Sequence, residues 1–346
     1  MIINLTVNPH QVQKRTRVTM ESPEAVKGFP VLVIDKDSYI VGAQVQNTMQ
    51  FDIAAGRHCL AVGKVCSMAD GITFMLDMNH DYLSVVQGEP SFLPQGSGGG
   101  TAKKRRIHRK GTIILQNDVW IGRGVTVMPG VVFRNGSIAA TNAVVTKDVP
   151  PYAIVGGNPA RILRYRFDEK TIEELQKIAW WDWPGHVQKA RRADFALPAE
   201  AFVEKYLPEA ETRLSQVSLL PEKGPLPVVL FVPDINDPFP MYCQILDQYF
   251  QKDRPNVELL IYLSKEESTA KSLRVLEDIL KKYESRNSYV TLQTGTTMDE
   301  RTLFQYADYF ITTRSLETVR RTCLADQYST KILFGTDDPI FSPELV

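Results

Sequence analysis

A repeat of six residues is the feature that most restricts how this chain can fold. From residue 115 the sequence divides into LQNDVW, IGRGVT, VMPGVV, FRNGSI, AATNAV and VTKDVP. The first position of each unit is apolar, and the fifth is apolar or small. Six residues match neither the period of a helix, about 3.6, nor that of a strand, about 2. The repeat therefore predicts a parallel β-helix of triangular section, in which a short strand and a tight turn recur three times per coil.

The same register occurs earlier, in VGKVCS and MADGIT. Val62, Met68 and Phe74 continue the first column, while Cys66 and Ile72 continue the fifth. The alternative is an ordinary β-sandwich with alternating strands. Six consecutive units in one register disfavour the sandwich, because strict six-residue spacing is typical of a solenoid.

Residues 75–111 interrupt the repeat, and a gap of this length inside a compact repeat is usually functional or disordered. A basic run follows a Gly/Ser-rich stretch there and consists of Lys103, Lys104, Arg105, Arg106, His108, Arg109 and Lys110. Two readings stay open. Most of the run has the composition of a solvated loop, and the alternative is an arm that contacts phosphate on a ligand.

Composition excludes several classes of protein. The chain has 346 residues, which is a natural length for two domains, and 40 basic residues balance 40 acidic ones. The balance gives no support for general nucleic-acid binding. The four cysteines form no CxxC pair, so neither a metal site nor a disulfide framework is predicted. The N-terminus does not read as a signal peptide, and no apolar run is long enough to predict a membrane span, so the expected setting is cytoplasmic.

Two later regions have different patterns. FDEKTIEELQKIAWW, with Asp168 as the N-cap, and PAEAFVEKYLPEAETRL predict helices after the repeat. Apolar runs then alternate with helical stretches, which predicts a parallel sheet with helices on both faces. We therefore expect a β-helix domain with C-terminal helices over residues 1–213, a linker over 214–225, and a Rossmann-like α/β domain over 226–346. That domain contains neither GxGxxG nor GxxxxGK[ST].

Several motifs together resemble the hexapeptide-repeat xenobiotic acetyltransferases, which include the chloramphenicol and streptogramin acetyltransferases. They are GKVCSMADGITFMLDMNH, NDVWIGRGVTVMPGV, TNAVVTKDVPPYAIVGGNPARILRYRF and WWDWP, in this order. The resemblance covers roughly residues 50–190. It implies a left-handed parallel β-helix, a homotrimer, acetyl-CoA as the acyl donor and an active site between subunits.

The resemblance also implies roles for individual residues. His80, in the Asn-His pair, corresponds to the catalytic base, and Asn79 is a candidate for local support. The residues MLDM that precede the pair depart from the glycine-rich run usual in the family. The implied acetyl-CoA residues begin with Trp120 beside the acetyl group and continue through Arg123, Thr141, Thr146 and Lys147 to Arg161 and Arg164 near the nucleotide. For Gly156, Gly157 and Pro159 the expected role is a turn that ends the repeat.

The C-terminal part is also similar, in a general way, to the nucleotide-binding half of two-domain glycosyltransferases. In those enzymes an acidic residue near the start of a helix holds a sugar nucleotide, and Glu317 is the matching position. Only one half is present, so a non-catalytic module for assembly or partner binding is the favoured reading. The predicted function is acetyl-CoA-dependent O- or N-acetyl transfer to a small-molecule acceptor, a sugar or a polysaccharide precursor. The alternatives are antibiotic O-acetylation and a non-catalytic trimeric scaffold.

Overall fold

The structure is a computed structural model of the chain. It describes residues 2–7, 16–19, 30–47, 59–76, 110–215, 223–237, 240–294, 299–315, 317–337 and 340–341. His80 and Asn79 lie outside the described residues, as does the basic run except for Lys110.

The first part of the chain consists of short strands. They are β1 Ile2–Val7, β2 Thr16–Thr19, β3 Pro30–Ile34, β4 Tyr39–Asn47, β5 Leu60–Val62, β6 Ser67–Met68, β7 Ile72–Leu76, β8 Ile113–Leu115, β9 Trp120–Ile121, β10 Thr126–Val127, β11 Val132–Phe133, β12 Ile138–Ala139, β13 Val144–Val145, β14 Ala153–Gly157 and β15 Ala160–Tyr165. Strand β7 includes the first two residues of the predicted interruption.

These strands form a parallel coil with three faces, because each strand from β5 to β10 pairs with the strand three positions further along. Face 1 contains β3, β5, β8 and β11. Face 2 contains the start of β4 with β6, β9, β12 and β14, and face 3 contains the end of β4 with β7, β10 and β13. Strands β1, β2 and β15 add antiparallel pairs at the margins. The predicted arrangement of three short strands per coil is confirmed.

Both predicted columns point into the coil. The first column is at most 1% exposed and consists of Leu115, Ile121, Val127, Phe133, Ala139 and Val145. The fifth column is at most 2% exposed and consists of Val119, Val125, Val131, Ser137, Ala143 and Val149. Burying one aliphatic side chain contributes roughly 1.5–3 kcal/mol, so the columns supply much of the stability of the coil.

Gly136 occupies a turn that only glycine fits well. Its φ is +70°, and an added Cβ would lie 2.5 Å from the ring of Tyr152. We expect Gly136→Ala to destabilise the protein by about 1–3 kcal/mol, through backbone strain and overpacking. Gly185→Ala is the matched control, because Gly185 begins a helix and no atom lies within 4 Å of an added Cβ. Urea unfolding midpoints should fall for the first variant and hold or rise for the second.

Helices follow the coil. They are α1 Glu169–Ile178, α2 Gly185–Ala190 and α3 Ala199–Ser215, with short 3₁₀ turns at Trp180–Asp182 and Arg192–Ala196. The predicted N-cap is confirmed, since the Asp168 carboxylate accepts a hydrogen bond from the Thr171 backbone N–H. Helix α3 continues two residues beyond the expected domain end at 213. Its last turn is held by Arg213, which donates to the backbone carbonyls of Lys177 and Ile178.

The remaining elements alternate between strand and helix. They are β16 Val228–Phe231, α4 Tyr242–Tyr249, β17 Arg254–Tyr262, α5 Ala270–Lys281, β18 Ser288–Gln293, α6 Glu300–Tyr306, β19 Tyr309–Thr312, α7 Thr318–Gln327 and β20 Lys331–Phe334. All strand pairs are parallel, in the order β18-β17-β16-β19-β20. Helices α4 and α5 pack on one side of the sheet, and α6 and α7 pack on the other. We call this part of the chain the α/β unit.

The α/β unit packs on face 1 of the coil. Val319 and Phe334 contact an apolar patch on that face, made of Val33, Ala61, Ile114 and Val132. Face 1 strands are apolar at consecutive positions, as in Leu60–Val62 and Ile113–Leu115, whereas β6 and β10 each begin with a polar residue. Apolar residues on both sides of a strand indicate burial on both sides. The outward positions Ala61 and Ile114 are at most 1% exposed, so face 1 is covered.

Polar contacts reinforce the interface. The Asp326 carboxylate accepts hydrogen bonds from the Gln116 side-chain amide at 2.6 Å and from Arg134 Nε at 2.9 Å. The Thr112 hydroxyl donates to that of Thr336 at 2.7 Å, and both side chains are buried. Because these buried polar groups are paired across the interface, separating the two parts would leave them without these partners.

Candidate active site

Face 2 presents a continuous row of outward positions across five strands of the coil and β15. The row is Tyr39, Ser67, Trp120, Ile138, Ile154 and Arg164, each opposite the next in register. Trp120 is 54% exposed, the largest aromatic surface on this row. Strands lie about 4.8 Å apart, so Trp120 and Arg164 are roughly 14 Å apart along the row. An exposed indole and an exposed guanidinium thus share one face of the coil.

Arg123 and Thr141 lie at the corner between faces 2 and 3, on successive turns of the coil. The Asn142 backbone N–H donates to the Arg123 carbonyl at 2.8 Å, which stacks the two turns directly. A Cβ added to Gly122 would lie 2.7 Å from the Thr141 backbone nitrogen, so this corner requires glycine. Both predicted side chains are exposed. The coil therefore places Arg123 and Thr141 just beyond the strands that carry Trp120 and Ile138.

Thr146 and Lys147 occupy a different corner. They follow β13, where face 3 turns toward face 1, and both are exposed. One whole face of the coil separates them from the row that contains Trp120. Within a single chain, the structure does not bring these two residues together with Trp120.

The end of the coil carries the remaining predicted residue. Arg161 lies on β15 opposite Gly156, is exposed, and donates from Nη1 to its neighbour's carbonyl at 2.9 Å. Gly157, with φ of +94°, precedes the tight connection from β14 to β15. The predicted turn that ends the repeat is confirmed at Gly157 and Pro159, whereas Gly156 lies within β14.

An ion pair beside Trp120 was not foreseen from the sequence. Asp118 has a φ of +54°, and its carboxylate accepts a hydrogen bond from Arg166 Nη1 at 2.9 Å. The same nitrogen donates to the Gly136 carbonyl at 2.8 Å. Burial raises the pKa of Asp118 above its ordinary value, and the Arg166 charge opposes that rise. The pair fixes the turn before Trp120. NDVW carries a local signal for that turn alone, since Asp tolerates positive φ.

The α/β unit holds the acidic residue singled out in the sequence. Glu317 accepts a hydrogen bond from Arg320 Nε at 2.7 Å, within the first turn of α7. Among the residues that the structure describes, no group of three His, Cys, Asp or Glu side chains is placed to hold a metal ion. In the same part of the chain, no helix is long and apolar enough to cross a membrane.

Asp234 gives the α/β unit a pH-dependent stability. Its carboxylate accepts hydrogen bonds from the backbone N–H groups of Met241 and Tyr242, and burial raises its pKa from 3.8 to about 6. Between about pH 4 and pH 6 the folded protein therefore holds a proton that the unfolded chain releases. Stability should fall as the pH rises through this window, by about 3 kcal/mol.

Asp234→Asn removes the titration but keeps an oxygen that can accept both hydrogen bonds. We expect this variant to lose the pH dependence of the urea midpoint between pH 4 and pH 6. Asp278→Asn, at an exposed position on α5, is the control and should retain it. An unchanged slope in Asp234→Asn would contradict the assignment.

Comparison with known proteins shows which family the chain belongs to. No protein-family model matches the chain. A probable macrolide acetyltransferase of Lysinibacillus sphaericus is 39% identical over 127 residues, which are 36% of this chain and 71% of that protein. A chloramphenicol acetyltransferase of Agrobacterium fabrum is 37% identical over 169 residues, 46% of this chain and 80% of that protein. The chain belongs to the hexapeptide-repeat xenobiotic acetyltransferases.

This xenobiotic acetyltransferase family member is therefore an acetyltransferase, as predicted. Among solved structures, a maltose O-acetyltransferase from Clostridium difficile 630 is 23% identical, covers 32% of this chain and 50% of its own, and has a TM-score of 0.25. At that score the superposition carries no information about the acceptor. The match to the Agrobacterium fabrum acetyltransferase covers 80% of that protein but only 46% of this chain. More than half of this chain therefore lies outside the match.

Proposed function

We propose that the protein transfers an acetyl group from acetyl-CoA to a hydroxyl or amine of a sugar or polysaccharide precursor, with His80 as the general base. Family membership is the observation that carries acetyl transfer. A sugar-type acceptor is proposed because the α/β unit, joined to the coil by buried apolar and polar contacts, is a large addition that a drug-modifying enzyme would not need. The proposal includes a left-handed coil and a Rossmann-like α/β unit.

The exposed side chains on face 2 and at its corner suit acetyl-CoA. Trp120 offers an apolar surface beside the position expected for the acetyl group, and Arg123 offers a cation at the corner. Arg161 and Arg164, at the end of the coil, are suited to phosphate because a guanidinium can donate two parallel hydrogen bonds. Acetyl-CoA is the co-substrate, and its pantetheine arm would run between these two ends.

The chemistry requires one proton to move. The acceptor loses its proton to a neutral imidazole at position 80 as it attacks the thioester carbonyl. The tetrahedral intermediate then breaks its C–S bond, the acetyl group stays on the acceptor, and the departing CoA thiolate takes the proton back from the imidazolium. Asn79 is proposed as local support for the imidazole. Backbone N–H groups of the turns are the available donors for the oxyanion of the tetrahedral intermediate.

We propose self-association into a homotrimer, and the way the faces of the coil are used supports contacts between copies. Face 1 is covered by the α/β unit, so contacts between copies fall to faces 2 and 3. Both Trp120 and Val41 are more than half exposed in the single chain. Thr146 and Lys147 lie one face away from Trp120 on the same chain. A groove lined by all three residues would therefore take Trp120 from one copy and Thr146 and Lys147 from another. Acetyl-CoA would then lie between subunits.

Antibiotic O-acetylation is the second candidate, and it is favoured by the names of the two relatives. A trimeric scaffold without activity is the third, and it predicts no binding of acetyl-CoA. Light scattering would give the mass of the assembly, and calorimetry would measure acetyl-CoA binding. Transfer assays on amino sugars, oligosaccharides, chloramphenicol and a macrolide would separate the acceptors. Turnover confined to the antibiotics would overturn the sugar assignment, and absence of acetyl-CoA binding would overturn acetyl transfer altogether.

A further inference from the structure

A cleft of about 440 Å³ lies where three parts of the chain meet. Its walls come from the corner of the coil between faces 1 and 2, from the ends of α1 and α3, and from α6 and α7 with the residue before α6. Small-molecule sites commonly occupy about 300–1,000 Å³ and often lie at domain interfaces. The size and place of the cleft therefore suit a ligand that contacts both the coil and the α/β unit.

The lining of the cleft is predominantly cationic. Five basic side chains contribute to it, namely Lys64, Lys177, Arg213, Arg301 and Arg320, against two carboxylates. The two carboxylates belong to Asp182 and Asp299. Two more carboxylates, those of Glu300 and Glu317, pair with Arg320 from outside the lining. The excess of positive charge that favours an anion therefore comes from Arg213 and Lys177.

Three of the five cations have carboxylate partners. Lys64 Nζ lies 2.6 Å from Asp182 Oδ1, Arg301 pairs with Asp299, and Arg320 Nη2 lies 2.6 Å from a Glu300 oxygen. These pairs hold their positive groups in place at the wall. Fixed and partly buried cations need little reorganisation to meet an anion, and their attraction is less screened than on an open surface.

Arg213 and Lys177 differ from the other three. In the part of the chain that the structure describes, neither has a carboxylate within 4.0 Å. Arg213 Nη2 instead donates to two backbone carbonyls at the end of α1, at 2.9 and 3.2 Å. That contact leaves the guanidinium charge without a neutralising carboxylate, and its other nitrogens are available as donors. Lys177 is exposed beside it.

We propose that this cleft binds a small phosphate-bearing ligand, with Arg213 and Lys177 as its principal contacts. Phosphate is the anion best matched to a guanidinium, which presents paired donors, and a neighbouring ammonium. Arg301 and Arg320 would meet the same ligand from the α/β unit. The site is separate from the face 2 row, because its walls include α6 and α7 and exclude Trp120, Arg161 and Arg164.

Calorimetry on the full chain at constant ionic strength tests this proposal. The probes are inorganic pyrophosphate, for a free phosphate ligand, and uridine diphosphate, for a nucleotide. We expect one site per chain, and Arg213→Gln should weaken binding about tenfold or more, the usual effect of losing a charge-assisted hydrogen bond. Lys177→Gln should weaken it similarly, and this exposed substitution leaves the two hydrogen bonds from Arg213 to the end of α1 in place. The tighter of the two probes identifies the ligand class.

Arg192→Gln, at an exposed arginine outside the cleft, is the matched control and should change the affinity less than twofold. Failure of both probes to bind would overturn the proposal, as would equal losses in Arg192→Gln, which would mark general charge attraction. Acetyl-CoA affinity should stay within twofold in Lys177→Gln. Competition between acetyl-CoA and pyrophosphate for one site would also overturn the proposal, while leaving acetyl transfer intact.

Discussion

His80→Ala is expected to lower acetyl transfer by about 10²–10⁴-fold, the usual contribution of a positioned general base. Without the imidazole, the acceptor must lose its proton to water as it attacks the thioester. The mass of the assembly and the affinity for acetyl-CoA should be unchanged, because the proposed contacts of the co-substrate lie on β9, β15 and the corners of the coil. Steady-state turnover and calorimetry on the same preparation give both quantities.

His186→Ala is the matched control for this loss. His186 is exposed on α2, a helix that follows the coil, and its removal should leave turnover within twofold. Near wild-type turnover in His80→Ala would remove the histidine from the mechanism. A variant that also failed to assemble would be replaced by His80→Gln, whose side chain is polar but cannot take the proton.

Phe133→Ala is expected to cost about 3–5 kcal/mol of unfolding free energy, the largest effect on stability that we predict. Phe133 is fully buried in the first column. On face 1, Phe133 pairs with Leu115 of β8 on one side and with Val149, in an isolated β-bridge, on the other. Removing the ring would open a cavity inside a coil whose neighbouring turns are fixed by backbone hydrogen bonds, so the cavity cannot close by collapse. Urea unfolding at pH 7 measures the loss.

Two variants test that explanation. Phe133→Leu keeps most of the apolar volume and should cost clearly less than the alanine variant. Val41→Ala removes a side chain that is 55% exposed and should cost less than about 0.5 kcal/mol. Equal costs for the alanine variants at positions 133 and 41 would contradict the role of the column.

Much of the coil could be predicted because its signal is local. The six-residue spacing predicts which side chains point inward at every turn of the coil. All twelve members of the two columns from 115 to 150 are buried. The helix that begins after Asp168 was likewise readable, because the cap and the apolar face lie within one short segment. The strands and helices after residue 226 were readable from their alternation.

The candidate site was predicted only in part. Trp120 and Arg164 share one row because adjacent turns are in register, and Arg123 and Thr141 stack at one corner for the same reason. The position of Thr146 and Lys147 on another corner does not follow from motif order, which says nothing about which face a residue meets. The ion pair of Asp118 with Arg166 joins residues 48 positions apart, and no local pattern records such a contact.

The sequence by itself determined the coil and the family, because a repeated pattern and shared motifs are carried by neighbouring residues. Only the tertiary structure decided that face 1 is covered by the α/β unit and that a cationic cleft lies where the unit meets the helices. These features depend on residues far apart in the chain, such as Gln116 and Asp326. The free energy of burying an apolar face is non-directional, so it favours a covered surface without specifying which part of the chain covers it.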